Sequence, residues 1–197
     1  MYQSVRVRRV FAAAAALALL PALSLAQAPD TAAVPKVGEQ APDFSAPAST
    51  RYGLLKSPLR LSDLRGKTVV LAFFPRSRTK GCTVQMESYR DRYEKLFAGG
   101  KGIVVVSIST DADTTQQSWA RDANFPMVFV SDSSGAIGKR YGVIDEKNHY
   151  DTRVAFVLAP DGKIAYRAMP FRELTENAYA ELGTAVASTA HTGAGSN

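Results

Sequence analysis

The hydrophobic positions of the chain fall into two patterns that alternate along its length. Four apolar runs have the length of strands: "TVVLAFF" (68–74), "GIVVVSIS" (102–109), "PMVFVSD" (126–132) and "RVAFVLA" (153–159). The first two are nearly continuous and rich in valine, as expected of strands covered on both faces. Between them lies a helical pattern. From Cys82 onward, Met86, Tyr89, Tyr93, Leu96 and Phe97 follow a period of about 3.6 residues, and Gly99-Gly100 predicts the stop. The segment "DADTTQQSWARDANF" predicts a second helix, capped by Asp113 and carrying Trp119, Ala120 and Ala123. "PDG" at 160–162 predicts a turn that folds "KIAYR" back as a hairpin. Leu174, Ala178, Leu182 and Val186 predict a closing helix with one apolar face.

Strands alternating with helices, followed by a hairpin, predict an α/β class with a central mixed β-sheet flanked by helices. The first helix starts at the carboxyl end of the first long strand, the edge at which open α/β sheets build their sites. Cys82 falls in its first turn. Residues 29–37 and 187–197 are small, polar and rich in Gly or Pro, which predicts flexible ends around a folded body at 38–186. No internal repeat or interior linker is visible.

Composition narrows the picture further. A chain of 197 residues with ordinary hydrophobic and charged fractions is expected to form one folded domain. The formal charge of +6 suggests a polyanion partner at first sight, but Arg6, Arg8 and Arg9 account for half of it and no long basic run remains, which excludes nucleic acid. Those arginines open "MYQSVRVRR", which leads into the apolar "VFAAAAALALLPALSL" and the small residues "AQA" at 26–28. The order predicts a signal peptide over 1–28, a mature chain starting near Pro29, and an exported protein, periplasmic or secreted. The apolar run is shorter than the ~20 residues of a spanning helix, so no membrane association is expected after cleavage. "RRVF" at 8–11 resembles the core of a twin-arginine signal and leaves Sec and twin-arginine export both open.

Export changes what the single cysteine of the chain means. Cys82 has no intrachain partner with which to form a disulfide. A thiol attacks as thiolate, a minor species near neutral pH for an unperturbed pKa of ~8.5. The free N–H groups and the positive end of a helix favour the anion. Arg76, Arg78 and Lys80 flank it, although residues of short loops mostly face solvent. The competing reading makes Cys82 the first core residue of a stripe that continues through Met86, Tyr89, Tyr93 and Leu96.

Pro75, Thr79 and Cys82, spaced P-x-x-x-T-x-x-C directly after an apolar strand, weigh against that alternative. The pattern resembles the signature of the peroxiredoxins, thiol peroxidases of the thioredoxin-fold superfamily. "FFP" and "GCTVQ" look most like the bacterioferritin-comigratory branch, and "VGEQAPDF" (37–44), "LSDLRGKTVVLAFFP" and "RVAFVLAPDGKI" extend the likeness over most of the mature chain. The resemblance implies a thioredoxin-like fold and a peroxide substrate, hydrogen peroxide or an organic hydroperoxide. It implies that Cys82 attacks the peroxide, Thr79 orients it, Arg153 holds the developing charge, Pro75 shapes and shields the pocket, and Gln85 holds Arg153. No cofactor or metal is implied, and His149 and His191 are the only imidazoles.

The chain departs from the family pattern at three places. Lys80 stands where Pro is usual, Phe74 where Tyr is frequent, and Glu87 where some members carry a second cysteine. The sulfenic acid formed at Cys82 is therefore expected to be resolved by an external thiol or thioredoxin-like reductant, in a monomer or homodimer. A C-x-x-C reductase is excluded, because Thr83, Val84 and Gln85 follow the cysteine. The alternative from another class is a non-catalytic thioredoxin-fold redox sensor or binding protein.

Overall fold

Every residue of the valine-rich run Thr68–Phe73 is buried, and this strand lies inside the sheet as its continuous apolar pattern requires. The computed structural model describes the backbone of residues 33–193 and side chains through residue 190; the expected signal peptide, 1–28, lies outside the described residues. In chain order the strands are β1 (Ser45–Ala46), β2 (Ala48–Thr50), β3 (Gly53–Leu54), β4 (Leu59–Arg60), β5 (Thr68–Phe73), β6 (Ile103–Ser109), β7 (Val128–Ser131), β8 (Ile144–Asp145), β9 (Tyr150–Asp151), β10 (Val154–Leu158) and β11 (Ile164–Ala168). The helices are α1 (Lys80–Asp91), α2 (Tyr93–Phe97), α3 (Asp113–Asp122), α4 (Ala136–Arg140) and α5 (Glu176–Gly193). Seven strands form one sheet in the order β11-β10-β5-β6-β7-β2-β3. The neighbours β5, β6 and β7 run parallel and the remaining pairs antiparallel, so the sheet is mixed, as the alternation of patterns predicts.

The period of two along the strands divides the interior into two cores. Val70, Ala72 and Phe74 face one side with Ala155 and Val157, under Cys82, Met86 and Tyr89 of α1, Trp119 of α3 and Leu182 of α5. Val69, Leu71 and Phe73 face the other side with Val154, Phe156 and Leu158, under Ile137, Tyr141 and Phe44. Each fully buried large side chain contributes about 1.5–3 kcal/mol of transfer free energy, so the first face of β5 holds α1 by packing more than by helix propensity. The hairpin closes where "PDG" predicts it, with the Gly162 N–H donating to the carbonyl of Ala159 (2.7 Å).

Five local expectations need correction. The helix after Cys82 is broken at Arg92, whose backbone (φ −109°, ψ 17°) separates α1 from α2. The Arg92 guanidinium grips both carboxylate oxygens of Glu176 (2.7 and 2.6 Å) and covers the Tyr179 ring at 4.9 Å. Asp113 is the first residue of α3 rather than its cap, and its carboxylate accepts the N–H of Thr114 (2.7 Å). Leu174 precedes α5 and is exposed, leaving Ala178, Leu182 and Val186 to face the core. Residues 187–193 do not form a flexible tail: α5 continues to Gly193, and Thr189 is buried. The described part of the segment 29–37 is also held, since the Pro35 carbonyl accepts Arg167 (3.2 Å) and Val34 packs on the second core.

Candidate active site

The antiparallel register of β5 with β10 sets Phe73 opposite Val154. The end of β5, running on through Phe74 and Pro75, therefore lies beside Arg153, the residue that enters β10. The loop after Pro75 turns into α1, whose first turn presents Cys82. On the inward side of α1, Cys82, Gln85, Met86 and Tyr89 are all buried. Three of these belong to the apolar stripe; Gln85 is the polar exception and needs a partner.

Arg153 supplies that partner and reaches the sulfur as well. Its Nη1 donates to Gln85 Oε1 (2.6 Å), its Nη2 lies 3.5 Å from Cys82 Sγ, and its Nε is 3.1 Å from a carboxylate oxygen of Glu173. Gln85 Nε2 in turn donates to the Tyr89 hydroxyl (3.2 Å). Burial pushes that hydroxyl well above the usual phenol range, so it stays protonated. A fully buried sulfur thus faces a guanidinium held from two other sides, at the amino end of a helix. The guanidinium places positive charge against the sulfur, at the end of the helix where the dipole is positive.

Glu173 is itself anchored. The Phe171 N–H donates to the Arg153 carbonyl (2.9 Å), and the Tyr179 hydroxyl donates to the Glu173 carbonyl (2.8 Å). Phe171 packs its ring against Tyr89 and Tyr179. The clamp also depends on Gly81. A Cβ there would lie 2.8 Å from Glu173 Oε1 and 3.0 Å from Arg153 Nη2, closer than ordinary contact.

The other residues named from the sequence are arranged differently. Thr79 is the exposed N-cap of α1, three residues before Cys82; its hydroxyl donates to the Arg76 carbonyl (2.9 Å) and its own carbonyl accepts the Thr83 N–H (2.8 Å). Pro75 is half-buried in the loop that follows β5. Arg76 and Lys80 are exposed, and Arg78 turns away to pair with Asp122 (2.6 Å) on α3. The structure thus brings together Cys82, Gln85 and Arg153, with Thr79 and Pro75 in the flanking loop. Glu173 escaped sequence reasoning because "FRELTEN" reads locally as an ordinary helix approach. A signal for Gly81 was present: a glycine inside a helix weakens it by about 1 kcal/mol relative to Ala, which calls for a packing reason.

A second buried polar feature lies just upstream. Both carboxylate oxygens of Asp151 are buried and lack a hydrogen-bond partner, two residues before Arg153. Burial, with the nearby Asp132 carboxylate adding to it, pushes the Asp151 pKa up to about 8, so the group is largely protonated at neutral pH. Burial raises Asp132 as well, against the N–H groups of Ile137 (3.0 Å) and Gly138 (2.7 Å) that donate to it.

Comparison with known proteins agrees with the geometry. The AhpC/TSA family pattern matches residues 37–167. A putative peroxiredoxin bcp of Coxiella burnetii is 34% identical over 136 residues, spanning 66% of this chain and 85% of that protein. Peroxiredoxin Bcp of Escherichia coli is 31% identical over 137 residues, spanning 66% and 83%. The crystal structure of peroxidoxin BcpB from Mycobacterium tuberculosis superimposes with a TM-score of 0.66 at 28% identity, covering 78% of this chain and 97% of that one, so the mixed sheet and its helices form a thioredoxin-like fold. With Cys82 in the matched signature and Arg153 at its sulfur, the chain belongs to the AhpC/TSA family, in the Bcp-like branch of the peroxiredoxins.

Proposed function

We propose that the protein is an exported thiol-dependent peroxidase of the single-cysteine type, reducing hydrogen peroxide or organic hydroperoxides. The observation that carries this reading is the placement of Arg153 Nη2 3.5 Å from a cysteine sulfur at a helix amino end, with Gln85 and Glu173 holding the guanidinium. The Cys82 thiolate attacks the terminal peroxide oxygen: an S–O bond forms, the O–O bond breaks, and sulfur loses two electrons. The departing alkoxide or hydroxide takes a proton and leaves as alcohol or water. Arg153 stabilises the anionic sulfur and the charge that builds on the oxygens, the kind of preorganised electrostatic assistance that dominates many enzymes. The Thr79 hydroxyl orients the peroxide, and Pro75 shields the pocket.

Cys82 is the only cysteine, which supports an external reductant. A first thiol attacks the sulfenic acid, releases water and forms a mixed disulfide; a second thiol attacks that disulfide and regenerates Cys82. Because Cys82 is wholly buried, side chains above it must be displaced to admit a peroxide. The same burial is what favours the redox-sensor alternative. Intact-mass measurement separates the two. One equivalent of peroxide should add one oxygen to the protein and none to Cys82→Ser, and a dithiol should remove it with sustained peroxide consumption. Oxidation no faster than that of a free thiol would sink the peroxidase reading, and oxidation without thiol-dependent recovery would mark a sensor.

A further inference from the structure

Arg153 uses three edges of its guanidinium on three different groups, and Glu173 is the carboxylate among them. Gln85 orients the guanidinium but is neutral and cannot balance its charge. The side chains of Arg153 and Glu173 are only 14% and 19% exposed, so water screens their attraction far less than it would at the surface. A cation held this deeply needs a countercharge, and a planar fork gripped at Nε has its Nη2 direction set. The loop that brings Glu173 is tied to Arg153 through Phe171 and to α5 through Tyr179, and Gly81 leaves the space that the pair occupies.

We propose that Glu173 is a positioning residue for Arg153: its carboxylate holds the Nε edge so that Nη2 faces the Cys82 sulfur, and its negative charge limits how strongly Arg153 stabilises the thiolate. This rests on the peroxidase reading, in which Arg153 acts at that sulfur. Orientation and charge separate by substitution. Glu173→Gln keeps an acceptor oxygen and removes the charge; Glu173→Ala removes both.

The test uses the full mature protein and two readouts: the pH midpoint of thiolate ultraviolet absorbance, with Cys82→Ser as blank, and the rate constant of peroxide reduction. In Glu173→Gln the midpoint should fall by about 0.5–1 pH unit, because the unopposed guanidinium favours the anion more. In Glu173→Ala the rate constant should drop about 10–100-fold with circular dichroism unchanged, because an unaimed guanidinium no longer meets the transition state. A merely structural Glu173 would leave the midpoint in place. An unchanged midpoint in Glu173→Gln overturns the proposal, as does a wild-type rate in folded Glu173→Ala. If the alanine variant does not fold, the glutamine midpoint decides. The midpoint needs no turnover, so a wild type that ignores peroxide while the midpoint still moves would defeat the peroxidase reading and leave the role of Glu173 standing.

Discussion

Arg153 Nη2 and Cys82 Sγ meet at 3.5 Å although 71 positions separate them in the chain. The contact depends on the pairing of β5 with β10, which brings the end of one strand beside the start of the other. In the proposed reaction, charge on sulfur and charge on the departing oxygen would face the same guanidinium.

Arg153→Ala should therefore slow peroxide reduction about 10²–10³-fold. Arg153→Lys should recover little of it, since an ammonium cannot hold Gln85, Glu173 and the sulfur from three edges. The alanine variant leaves the Gln85 oxygen and the Glu173 carboxylate without their partner, a cost of about 1–3 kcal/mol. Stopped-flow peroxide kinetics alongside urea unfolding would check both halves, and a folded variant reacting at the original rate would remove Arg153 from the site.

Gly81→Ala should separate helix stability from activity. Alanine is better than glycine in a helix by about 1 kcal/mol, yet here its methyl would press on Glu173 and Arg153. The peroxide rate constant should fall at least about tenfold while the melting temperature changes by only a few degrees. A variant more stable than wild type and equally fast would show that the clamp yields without consequence.

Asp151 predicts a pH dependence of stability. Its pKa rises from 3.8 to about 8 on folding, so between those values the unfolded chain has released a proton that the native chain keeps. The stability that Asp151 contributes is then greatest below the lower value, declines as pH rises through the interval, and levels off above the upper one, with a limiting slope of about 1.4 kcal/mol per pH unit for one proton. Asp132, also raised by burial, acts in the same direction. Asp151→Asn should flatten the decline and exceed wild type in stability at the alkaline end. Urea midpoints measured from about pH 5 to 8 test this, and equal slopes in the two proteins would refute it.

The signal-peptide reading makes a separate prediction. Protein recovered from the producing cell should begin at or near Pro29, as N-terminal sequencing or intact mass would establish. Replacing Arg8 and Arg9 with lysine should block export if the twin-arginine route is used and leave it intact if Sec is used. Soluble cytoplasmic protein that keeps Met1 would contradict the signal-peptide reading.

Short-range periodicity and turn chemistry make the regular elements legible in the chain. The strands at 68–73 and 103–109 lie within one residue of their valine-rich runs, and α1 follows the stripe from Cys82 to Tyr89, because burial on one or two faces writes a repeat into neighbouring positions. The "PDG" hairpin and the order of strands and helices follow from equally local preferences. They suffice for the mixed α/β sheet and for Cys82 in a first helical turn.

The remaining features depend on partners far away in the chain. Arg92 breaks a helical stripe that is continuous in sequence, at the place where its side chain grips Glu176. Thr189 is buried where α5 runs on past Val186 through small, polar residues that read as a tail. Asp151 becomes a buried acid through packing against α4, which no nearby residue signals. Glu173 reaches Arg153 because the Phe171 N–H binds the Arg153 carbonyl and Gly81 leaves room. A local pattern records which face of an element is buried; which charge lies against it is determined when distant strands and loops pack together.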